Sequence, residues 1–70
     1  MNSISTAPLV HRGADKIARR AGQILDEPDF PAERIYQWID AGKIQGVFRI
    51  GPQIAITDDN LVASLTGTYK

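Results

Sequence analysis

Seventy residues make one domain with a modest core. Cysteine is absent, which excludes a disulfide framework, a thiolate nucleophile and Cys-ligated zinc or iron–sulfur sites, and fits a reducing compartment. Eight Lys and Arg balance eight Asp and Glu, so any attraction to nucleic acid has to come from how charge is distributed rather than from its sum.

Residues 1–10 open with MNSISTAP, small and polar and ending in Pro, and read as a flexible arm. They lack the basic start and apolar stretch of a signal peptide, and no apolar run approaches the roughly 18 residues of a membrane span. The expected location is the cytoplasm, with no membrane partner. His11 is the only histidine. It stands beside Arg12 ahead of the first helix, with no Ser, Cys or carboxylate pair spaced to work with it, and reads as an exposed spectator.

Ala14, Ile17, Ala18, Ala21, Ile24 and Leu25 follow the i, i+3, i+4, i+7 rule and predict a helix from about Gly13 to Leu25. Gly22 lies inside it at a cost of about 1 kcal/mol relative to Ala, which leaves an earlier end near Gly22 open. The face opposite the apolar stripe carries Arg12, Lys16, Arg19 and Arg20, a basic ridge that serves equally as a solvated surface. Asp26, Glu27 and Asp29 fall in the loop that follows, and Asp58 and Asp59 in a later one, so the acids are expected to be segregated from the basic face.

Pro31 suits the start of a second helix, because its missing N–H goes unpaired there in any case. Ile35, Trp38 and Ile39 form the buried stripe of that helix, and Gly42 is placed to stop it. Its outward side presents Glu33, Arg34, Tyr36 and Gln37, a set competent to read base edges and reach a phosphate: Arg pairs with guanine, Gln with adenine, Glu with the cytosine amino group. Val47–Ile50 and Gln53–Thr57 are rich in β-branched residues around Gly51-Pro52 and predict a hairpin. Phe48, Ile50, Ile54 and Ile56 are expected in the core, with Arg49 and Gln53 outward. Thr57 or Asp58 then caps a last helix bearing Leu61, Val62 and Leu65 and stopped by Gly67. The expected fold is α+β: helix, helix, β-hairpin wing, short C-terminal helix, with an arm at 1–10, a winged helix-turn-helix domain at 11–66 and a tail at 67–70.

Ile35-Tyr36, Ile39, Gly42, Ile44, Arg49 and Gly51 stand at the places, and RGADKIARRAG resembles the opening, of the excisionase and MerR-like class of winged helix-turn-helix DNA-binding domains. The resemblance spans most of residues 12–66. Three departures stand out: the Gln23–Phe30 connection is longer than the usual turn, Gln45 replaces a Pro, and Ser64 replaces a frequent Trp. Without the long coiled coil and ligand-sensing domain of full MerR regulators, the chain looks more like an excisionase.

The resemblance implies a recombination directionality factor, a transcription regulator or both, binding repeated sites on double-stranded DNA, bending it, and self-associating mainly there, with a site-specific recombinase as a further partner. The contact set expected on this reading is Glu33, Arg34, Tyr36, Gln37, Lys43, Arg49 and Gln53, with Lys16, Arg19 and Arg20 from the ridge. A protein-interaction adaptor or inhibitor with the same fold is the alternative, which the zero net charge keeps open; Ile4, Leu9, Val10 and the acidic 26–30 loop are then its contact surface. Neither a catalytic group, a metal nor a cofactor is expected. The acids at 26, 27 and 29 lack the oxygen spacing of a calcium loop, and there is no Gly-rich phosphate cradle.

Overall fold

The computed structural model describes residues 9–67. The arm and tail read from the sequence fall outside it, apart from Leu9, Val10 and Gly67. In chain order the elements are β1 (Val10–Arg12), α1 (Ala14–Leu25), α2 (Ala32–Asp40), β2 (Phe48–Ile50), β3 (Gln53–Thr57) and α3 (Asp58–Thr66). The three strands form one antiparallel sheet in the order β1-β3-β2. The result is a mixed α+β domain of three helices and a three-stranded sheet, compatible with a small winged helix.

The helices pack on the sheet face that carries Ile54 and Ile56, and Ile17, Ala18, Ala21, Phe30, Ile35, Ile44 and Leu61 complete the core. Ile17, Ile35, Ile56 and Leu61 are the largest side chains wholly removed from water. The 3.6-residue spacing of α1 therefore buries the stripe that the sequence predicts, and Gly22 is part of it. Helix α1 runs through Gly22 to Leu25, so the earlier end is not used.

Each helix is stopped by a local device. Asp26 ends α1 in the left-handed region at φ 58°, which a short polar side chain tolerates better than most. Behind Asp40, the Lys43 N–H donates to the Trp38 carbonyl at 2.8 Å and the Gly42 N–H to Ile39 at 3.1 Å. That pair of bonds is a Schellman closure, and Gly42 supplies its positive φ of 78°. Thr57 caps the start of α3, its hydroxyl accepting from the Asn60 N–H at 3.2 Å, and Gly67 ends that helix at a φ of 79°. The Gln45 N–H donates to Ser64 Oγ at 3.0 Å, and that hydroxyl donates back to the Gln45 carbonyl at 3.3 Å. Gln45 and Ser64 thus satisfy one another, and a Pro at 45 would have no N–H to give.

Three expectations need correction. The first strand, β1, begins inside the segment read as an arm: Val10, His11 and Arg12 pair with Thr57, Ile56 and Ala55. Three residues without alternation carry too little pattern to be read as a strand. Phe48 is not core but 41 % exposed. The register sets Phe48 opposite Ala55 and Arg49 opposite Ile54. Opposed residues share a face, so Arg49 lies on the helix side while Phe48 lies on the outer side beside the buried Ala55. Trp38 is only half-buried; its ring stands edge-on to Phe30 at 5.2 Å between centroids.

Candidate nucleic-acid interface

Two elements that the sequence singled out, α2 and the hairpin, do flank a groove. Tyr36, Gln37 and Asp40 of α2 face Arg49 of β2 and Ile54 of β3 across a shallow cleft of about 390 Å³. The parity of β2 makes this possible, because a residue paired with Ile54 must point to the side on which α2 lies. Tyr36 stands 55 % exposed at its edge, with its phenol available to a partner. Gln37 and Arg49 are exposed as well.

A second cleft of about 400 Å³ opens on the other side of Tyr36. Arg12 at the end of β1 and Asp15 and Lys16 at the start of α1 line it together with Ala32, Tyr36 and Gln53. Gly13 makes the junction: its φ of 88° turns the chain from β1 into α1, and its N–H is fixed by the Ile54 carbonyl at 2.8 Å. Tyr36 and Ile54 belong to both clefts. Lys16 in turn lines a third, smaller cleft with Arg19 and Arg20. The three clefts thus adjoin one another through shared residues, from Arg49 past Tyr36 and Gln53 to Arg12, Lys16 and Arg19. The side chains of Arg12, Lys16, Arg19 and Arg49 make no hydrogen bond or ion pair among the described residues.

The remaining expected contact residues stand elsewhere or are engaged. Arg34 is half-buried, its Nη1 3.3 Å from Glu27 Oε1 and its guanidinium 5.1 Å above the Phe30 ring. Both partners belong to the α1–α2 connection, so Arg34 ties that loop to α2. Lys43 lies with its ammonium 5.3 Å over Trp38. Glu33 is exposed but lines none of the three clefts.

Arg20 corrects the reading of the ridge. Its Nε donates to Asp58 Oδ1 at 2.6 Å and its Nη2 to Oδ2 at 3.3 Å, which makes it the partner of α3 rather than a free cation. His11, read as a spectator, lies with Nε2 2.7 Å from the same Asp58 Oδ1 and its side chain only 15 % exposed. The acids are accordingly not segregated: Asp58 sits among basic side chains, Asp15 shares a cleft with Lys16, and Asp40 closes one end of the α2 groove. The Arg20 guanidinium, followed by His11, holds the Asp58 carboxyl below the ordinary carboxylate range. The same hydrogen bonds raise Arg20 above its own usual value. Sequence reasoning had one signal for this pair, an Asp at the first turn of α3, and used it only as a cap.

Among the described residues no three of His, Cys, Asp or Glu come together to hold a metal ion, and no helix is long and apolar enough to cross a membrane. No protein-family model, curated protein or solved structure gives a significant match to the chain.

Proposed function

We propose that this chain is a small sequence-specific binder of double-stranded DNA, akin to excisionase-type regulators of recombination or transcription. Helix α2 enters the major groove with Tyr36 and Gln37 leading, and Arg49 and Gln53 of the hairpin lie along the flanking backbone. One observation carries the reading: Arg49, Arg12 and Lys16, whose side chains have no partner among the described residues, line two adjoining clefts that share Tyr36 and run past Gln53. Backbone phosphates need a series of cations along a track, whereas base readout needs only a few amide and hydroxyl groups within it. A balanced net charge does not oppose this, because binding senses the local field of the track.

Selection from random duplexes, followed by footprinting on the enriched sites, tests the proposal. Clustered protected repeats are expected for an excisionase-like role, with affinity falling by about 0.9 log units per phosphate contact for each log unit of salt. Absence of any enriched duplex rejects it. The second reading, a protein-interaction adaptor, draws on Phe48, an exposed aromatic on the free edge strand β2. Co-purification of a protein partner that is lost in Phe48→Ser, with no duplex enriched, favours that reading instead.

A further inference from the structure

Beyond the groove, the outer flank of α1 carries a cleft of about 250 Å³ lined by His11, Lys16, Arg19, Arg20 and Gln23. Among the described residues no carboxylate lines it. We infer that this cleft is a seat for a phosphate-class oxyanion, built on α1 and β1 and braced from beneath by Asp58 of α3. The inference does not depend on duplex DNA being the partner.

The bracing comes first. Asp58 takes Arg20 through Nε and Nη2 and His11 through Nε2, so both of its oxygens are engaged. Arg20 Nη1 donates to Gln23 Oε1 at 3.3 Å, which fixes the guanidinium plane against α1. A guanidinium held on three of its five N–H groups loses little freedom when the remaining two meet an anion. Of the three permanent cations that line the cleft, Arg20 is paired with Asp58, while Arg19 lines neighbouring clefts with Asp15 and Asp26 without an ion pair to either among the described residues. Lys16 and Arg19 lie three residues apart on one helix face, without partners among the described residues. Asp15, one turn before Arg19, forms no ion pair with it.

Phosphate fits this donor set better than a carboxylate does. A carboxylate offers two oxygens in a plane, matched by one fork. Here a guanidinium, an ammonium and a second guanidinium line one cleft from different points of α1, and a tetrahedral oxyanion offers oxygens in enough directions for all three. His11 completes the wall. An ionised carboxylate can only accept, so the His11 Nε2 carries the proton shared with Asp58. Around the ring the charged groups are Lys16, Arg19 and Arg20 of α1 and Asp58 of α3.

Sulfate is the probe, because it stays a dianion near neutral pH while phosphate is a mixture of two charge states. Sulfate is titrated into the full chain at constant ionic strength and pH 7, and amide and side-chain NMR signals are followed. The expected result is saturable shifts at His11, Lys16, Arg19 and Arg20 but not at Arg49. Lys16→Gln with Arg19→Gln, both at exposed positions, abolishes the saturation while far-UV circular dichroism is unchanged. His11→Gln, which can still bond Asp58, retains binding. Inorganic phosphate should bind in the same place. A short duplex that displaces sulfate identifies the seat as a backbone contact; one that shifts only Tyr36, Gln37 and Arg49 leaves it for a free anion. Linear shifts equal to those produced by chloride, or saturation that survives the double variant, overturn the inference.

Discussion

Replacing Gly22 by Ala separates two opposed forces cleanly. Helix propensity alone favours the change by about 1 kcal/mol, since Gly22 lies inside α1. The structure opposes it. A Cβ at Gly22 would stand 2.4 Å from the Glu27 carbonyl oxygen and 3.3 Å from Phe30 Cβ. The first is a backbone atom, and no rotamer change moves it away. That carbonyl is held in a folded connection: the Glu27 N–H donates to the Gly22 carbonyl at 2.8 Å, and the Phe30 N–H donates to the Glu27 carbonyl at 3.2 Å. Making room for one methyl means shifting the loop off α1, at the 1–3 kcal/mol typical of overpacking, with about 1 kcal/mol for each hydrogen bond that fails. After the propensity gain is set against these, the variant should lose about 1–3 kcal/mol. For a domain of this size the thermal midpoint falls by roughly 4–8 °C for each kcal/mol lost. Urea and heat denaturation, followed by circular dichroism and by the fluorescence of Trp38, give the number; Arg19→Ala, at an exposed site on the same helix, should stay within about 0.5 kcal/mol of the parent. A Gly22→Ala protein as stable as the parent, or more so, would refute the close approach of the connection to α1 and with it the placement of α2.

Other outcomes follow from the same geometry. Asp58 has its folded-state pKa depressed, so its contribution is present above the ordinary carboxylate range and is lost as pH falls through the depressed value. The stability gap between parent and Asp58→Asn should therefore be widest above about pH 5 and close on acidification below pH 4; a gap unchanged between pH 7 and pH 3 contradicts the pairing with Arg20 and His11. Ile35→Ala, at a site with no solvent exposure, should cost about 2–5 kcal/mol by denaturation. On an enriched duplex, Gln37→Ala should cost about 1–3 kcal/mol and relax the sequence preference. Arg49→Ala should weaken all duplexes alike and lower the salt slope by about 1, as read by gel-shift titration.

The elements that carry the proposed site were legible where the periodicity was long. Twelve residues of α1 repeat their apolar stripe without a break, and Gly42, Thr57 and Gly67 mark helix ends through backbone and capping chemistry that acts within a few residues. What escaped depended on partners distant in the chain. Whether Phe48 or Arg49 faces the helices is a matter of strand parity, and β2 takes its register from β3 rather than from its own apolar content. The role of His11 arises from a residue 47 positions away. Arg34 looked like a free reading group because its helix position is outward, yet the α1–α2 connection folds back beneath it and supplies Glu27 and Phe30. That connection was the one element whose geometry had no local signal. The cleft that joins Arg12 and Lys16 to Tyr36 and Gln53 exists because β1 pairs with β3, a pairing too short to read from three residues.

Chemical-shift mapping with an enriched duplex is the most direct test of the central claim, that the α2–hairpin groove and the start of α1 form one DNA-binding track. The account predicts perturbations concentrated at Arg12, Lys16, Tyr36, Gln37, Arg49 and Gln53, reduced together as salt rises. Perturbations centred on Phe48 or on the 26–30 loop, with the track residues unmoved, would contradict it.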